Sequence, residues 1–128
     1  MSRIDPVGPA DAVRARVPAA LAAYAETRAT VLGEGIVDQA LKDLCARYLA
    51  EDDEVVAHAD DPARFDERER AALAWTHAIA WNSDLADAAL WERLHAHFSE
   101  PELVELGYAI AFTLGQQHWL QTLGLTER

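Results

Sequence analysis

Five histidines and one cysteine are the side chains here that could move protons or electrons near neutral pH. The cysteine, Cys45, has no second thiol in this chain, so neither an internal disulfide nor a Cys-x-x-Cys couple can form. In Leu41-Lys42-Asp43-Leu44-Cys45-Ala46 it continues the stripe that Leu41 begins and reads as a small buried apolar residue. Glu54 with His58, and Glu92 with His95, stand at helical spacings. In a bundle, two such pairs with two further carboxylates would hold a di-iron centre. At about 100° per residue, however, Leu90, Trp91, Leu94 and Phe98 take one side of their helix and leave Glu92 and His95 on the other. Those ligands would face solvent, so neither a metal nor another cofactor is expected.

Two segments carry stronger signals. His77 lies between Leu73 and Trp81 on one line of a helix that is apolar on nearly all sides. A buried imidazole without a partner costs about 1–3 kcal/mol, which leaves two readings: a hydrogen-bonded core histidine or a pocket residue. In the last periodic segment, Leu103, Gly107, Ile110 and Leu114 line one face, which continues as Gln117, His118 and Gln121. A second face stacks Tyr108, Phe112 and Trp119, so both sides of this helix are expected to be covered. Polar groups on such a helix line a pocket or a subunit interface. In a pocket, His118 is the candidate general acid or base and Gln117 orients a carbonyl or carboxylate. Gln121 would converge with them, and His77 or Trp81 would lie across the cavity as further substrate-binding candidates.

The elements that position these residues are helices. No segment alternates with period two long enough to be a strand, and five segments show helical periodicity. The first spans about 18–32, with Pro18 in its first turn and Gly33 and Gly35 ending it. The second runs over about 38–50, with Leu41, Leu44, Cys45, Tyr48 and Leu49 as its stripe. An acidic connection follows (Glu51-Asp52-Asp53-Glu54, then Asp60-Asp61), read as a solvated loop with a short helical turn over 54–59. Asp66-x-x-Glu69 is a capping box that starts the third helix, with Phe65 stapled to the stem of Arg70 or to Ala71. The fourth covers about 87–98. The fifth opens on Ser99-Glu100-Pro101-Glu102 and closes at Gly124. Residues 1–128 read as one domain, with 1–15 as a loosely held arm containing Pro6, Gly8 and Pro9.

The net charge of −11 argues against nucleic acid and anionic membranes, because counterion release needs clustered Lys and Arg and the eleven basic residues form no run. The longest mainly apolar stretch, 71–80, is too short to span a bilayer, and the first residues have no apolar signal core. A cytoplasmic protein is expected.

The stretch from Phe65 to Leu125 resembles the AhpD / carboxymuconolactone decarboxylase family. Phe65-Asp66-Glu67-Arg68-Glu69-Arg70-Ala71-Ala72-Leu73 looks like a characteristic helix of that family. Phe98-Ser99-Glu100-Pro101-Glu102-Leu103-Val104-Glu105-Leu106 is similar to its next connection, and Leu41-Lys42-Asp43-Leu44 resembles its lead into the redox helix. The resemblance implies an AhpD-like all-α bundle of about five to six helices. It also implies a homo-oligomer, dimer or trimer-based, which agrees with four tryptophans in so small a domain. Peroxidatic members carry a Glu, a Cys-x-x-Cys and a His between the segments matching Lys42 and Phe65. This chain lacks the cysteine pair, so thiol peroxidase activity is not expected. The decarboxylase branch commonly has Asn-x-x-Asn-Arg where this chain has Leu114-x-x-Gln117-His118. Three readings follow: decarboxylase-like acid/base chemistry on a small organic acid or lactone, a degenerate small-molecule-binding or interaction protein, and, weakest, a hydroperoxide reductase using Cys45.

Overall fold

The computed structural model describes residues 10–125, among which there are helices and turns but no strand. The α-helices are α1 (Ala10–Arg14), α2 (Pro18–Thr27), α3 (Gln39–Leu49), α4 (Asp53–Val56), α5 (Glu67–Trp81), α6 (Ala88–His97) and α7 (Glu100–Thr122). The five long ones match the periodic segments, so the all-α bundle expected from the sequence is the fold.

Local chemistry starts and stops these helices. The Asp66 carboxylate accepts from Glu69 N–H at 2.8 Å while Glu69 accepts from Asp66 N–H at 2.9 Å. Ser99 and Glu102 make the same exchange at 3.3 and 2.8 Å. Each exchange satisfies N–H groups that a helix start leaves open. At the end of α3, Asp52 N–H bonds Arg47 O and Glu51 N–H bonds Tyr48 O, with Glu51 at φ 61. That is the Schellman pattern with a glutamate in the place glycine prefers. Asp52 then accepts from Glu54 N–H to begin α4 and binds Arg47 at 2.9 Å. The acidic connection, read as a solvated loop with a short helical turn, has that turn as α4 and adds cap and ion-pair contacts.

α5 is the centre, packed against α3, α6 and α7. Ala71, Ala72, Leu73 and Ala78 are fully enclosed, and the small alanines let neighbouring helices approach. Trp75 meets Trp91 of α6 edge-on at 5.6 Å and presses on Gly107 of α7, where a Cβ would stand 2.7 Å from the indole. Leu73, Leu94 and Leu106 are buried from three different helices, each contributing about 2 kcal/mol. No described helix is long and apolar enough to cross a membrane.

Two expectations need correction. Residues 10–14 of the supposed loose arm form α1, with Ala10, Val13 and Arg14 buried; residues 1–9 lie outside the described residues. The Arg14 guanidinium donates to Gln116 Oε1 at 2.8 Å and lies 3.5 Å from the Tyr24 ring centre, which fastens this turn to α7 and α2. On α7, the face of Tyr108, Phe112 and Trp119 is not covered throughout. Phe112 stacks on Tyr24 of α2 at 5.8 Å, but Tyr108 is 57% exposed and Trp119 38%, because α2 reaches only one edge of that face.

Candidate functional site

Arg70, Ala74, His77 and Trp81 recur at helical spacing along one face of α5. Tyr48, from the buried stripe of α3, reaches that face, and its Oη stands 2.7 Å from His77 Nδ1. Trp81 stacks on the imidazole, with ring centres 5.2 Å apart, and meets Tyr48 edge-on at 5.9 Å. The two readings of His77 thus combine, since the imidazole has a hydrogen-bond partner and also lines a cavity. Burial raises the Tyr48 phenol above its ordinary pKa, which keeps it protonated.

The cavity has a volume of about 520 Å³ between α3, α5 and α6; its wall includes Tyr48, Leu73, His77, Leu90 and two arginines, Arg70 and Arg93. A single carboxylate, Glu67, holds both guanidinium groups, at 2.9 Å from Arg70 and 3.0 Å from Arg93. Those contacts, that from Arg93 first, keep Glu67 below the usual carboxylate range. Arg70 Nε is buried and has no acceptor among the described residues. A buried donor left unpaired costs about 1–3 kcal/mol, and a carboxylate would relieve it with a charge-assisted bond.

Of the residues singled out in the sequence, His77 lines this cavity, whereas Trp81 stacks on its imidazole from outside the wall and is 54% exposed. Gln117 lies elsewhere, lining a larger, open-sided cavity of about 710 Å³ between α2, α3 and α7. His118 and Gln121 are exposed and line neither of these two cavities. The expected convergence of Gln117, His118 and Gln121, with His77 across from them, is corrected. α3 separates the two cavities, giving Tyr48 to one and Cys45 and Leu49 to the other. Toward the end of α7, Arg14 of α1 binds Gln116, and the buried residues there are Leu120 and Leu123.

Tyr48, Arg70 and Arg93 are the site residues that sequence reasoning missed. Tyr48 counted as part of an apolar stripe, and Arg70 as the stem of a staple. The seven-residue spacing of Arg70 and His77 was the available signal. Cys45 is almost fully enclosed, and burial pushes its thiol up to about 11, against the opposing hydrogen bond with Thr76. On α6, Glu92 and His95 both face solvent, and His95 Nδ1 lies 2.9 Å from Trp91 O. Among the described residues no group of three or more His, Cys, Asp or Glu could hold a metal ion.

Comparison of the chain with protein-family models, curated proteins and solved structures found no match. The functional reading therefore rests on the site.

Proposed function

We propose that this chain is a non-redox, AhpD-like protein of the carboxymuconolactone decarboxylase type. It carries out acid/base chemistry on a small organic acid or lactone in the Tyr48–His77 cavity. The observation that carries this reading is the 2.7 Å contact between Tyr48 Oη and His77 Nδ1, in a wall shared with Arg70 and Arg93. When Nδ1–H donates to the phenol oxygen, Nε2 keeps a lone pair and acts as the base, while the Tyr48 O–H is released to donate to a substrate oxygen. Once Nε2 has taken a proton, the imidazolium, still donating Nδ1–H to the phenol oxygen, is the acid that returns it. One pair therefore serves both directions of proton transfer without a cofactor. The arginines supply the carboxylate contact, and Leu73 and Leu90 supply the apolar wall.

The test is proton exchange. Small carboxylic acids and lactones are incubated in D2O with the protein, and loss of the signal for hydrogens beside the carbonyl is followed by NMR. Exchange by the wild type that falls by about 10²–10⁴ in His77→Gln supports the reading. Absence of exchange and of binding across the panel refutes it.

Binding without turnover is the second reading. It is favoured by the position of His118, the sequence-derived candidate base, on the solvent-facing side of α7. We also propose a homo-oligomer. Val104, Tyr108 and Trp119 are exposed on one stripe of α7, and such a stripe suits a second copy of the chain.

A further inference from the structure

Among the described residues, two buried side-chain atoms lack a hydrogen-bond partner, and each belongs to a residue of a different cavity. Arg70 Nε, a donor, belongs to the smaller one. Gln39 Oε1, an acceptor, belongs to the larger. The Gln39 amide cannot simply be turned over, because its Nε2 already donates to Leu32 O at 2.8 Å and to Asp43 Oδ1 at 2.9 Å. What this residue lacks is therefore a donor.

The same cavity contains three cations in different circumstances. Lys42 Nζ is committed to Val31 O, Gly33 O and the Glu105 carboxylate, and Arg47 to Asp52. Arg28, at the rim, has no carboxylate partner among the described residues, although the chain carries twice as many acids (22) as bases (11). The floor is apolar, formed in part by Leu49, Leu106 and Ile110. At about 710 Å³ the volume falls in the range of small-molecule sites.

We infer that this larger cavity binds an amphipathic hydroxy acid, with its carboxylate at Arg28, its hydroxyl donating to Gln39 Oε1 and its chain on Leu49, Leu106 and Ile110. The donor–acceptor pattern selects the class. A fatty acid without a hydroxyl leaves Gln39 unpaired, and an alcohol without a carboxylate leaves Arg28 unpaired. This site is independent of proton transfer at His77.

Calorimetric titration of the full chain with 3-hydroxyoctanoate and with octanoate tests it. The hydroxy acid should bind about 3–10-fold more tightly, the value of one neutral hydrogen bond. Arg28→Gln, at a rim position that carries no core packing, should weaken both acids by about tenfold or more, the value of a charged one. Gln39→Met should remove the preference between them. Glu92→Gln, on the solvent-facing side of α6 and outside both cavities, should leave both affinities unchanged. Equal binding of the two acids, binding of neither, or affinities that Arg28→Gln leaves unchanged would overturn the inference. None of these outcomes bears on the exchange assay at His77, so the two readings fail separately.

Discussion

Gly35 lies against Glu105 so closely that a Cβ at position 35 would overlap the glutamate carboxylate. That carboxylate cannot move aside freely. It accepts from Val37 N–H at 2.8 Å and meets the buried Lys42 ammonium at 3.2 Å. Lys42 in turn donates to Val31 O and Gly33 O, satisfying carbonyls where α2 and its π turn (Arg28–Leu32) end. Gly35→Ala should therefore disturb the whole junction of α3, α7 and the 33–37 connection, lowering stability by about 1–3 kcal/mol. Chemical denaturation of Gly35→Ala, Lys42→Met and the double variant should show strong non-additivity, because all three groups share one network.

The same network makes stability depend on pH. Burial opposes ionisation of Glu105, but the Val37 N–H and the Lys42 ammonium outweigh it and hold the carboxyl below its ordinary pKa. A carboxyl with a lowered folded pKa stabilises the fold above about pH 4.5 and loses that contribution as pH falls through the folded value. The melting temperatures of wild type and Glu105→Gln should differ most near pH 7 and converge on acidification. A difference that stays constant down to pH 3 would contradict this.

Cys45 should behave as an inert thiol. Its pKa of about 11 leaves little thiolate at neutral pH, and the side chain is enclosed by the core. Labelling by iodoacetamide at pH 8 should proceed at the rate of unfolding, accelerating in denaturant. Peroxide consumption with a dithiol reductant should be absent, and identical in Cys45→Ala.

Glu51 at φ 61 adopts a conformation that costs an L-residue energy and glycine little. Glu51→Gly should raise stability, by up to about 1 kcal/mol once the added freedom of the unfolded chain is offset. A fall in denaturation midpoint would show that the glutamate side chain contributes more than its backbone costs.

The exposed stripe of α7 predicts assembly. Sedimentation at micromolar concentration should give a mass above that of one chain. Tyr108→Glu should shift it toward the monomer without lowering helix content, since the residue is 57% exposed in its own protomer. A monomer mass for the wild type would remove this claim.

The sequence by itself determined the five long helices and the starts of α5 and α7. Asp66 with Glu69, and Ser99 with Glu102, are contacts three residues apart, and the stripes of α3, α5 and α6 repeat at the helical period, so short-range chemistry decides them. It also brought His77 and Trp81 forward, because a polar group on an otherwise apolar helix is visible locally. What only the tertiary structure decided is which helix faces meet. Tyr48 and His77 lie 29 positions apart, and Arg14 and Gln116 lie 102 apart; no periodicity relates them. The wheel of α7 brought Gln117, His118 and Gln121 together, but a wheel does not say where along a helix its partners stop. α3 and α5 pack on α7, and near its end only Arg14 of α1 is seen to reach it, so the buried side there is Leu120 and His118 is left in solvent.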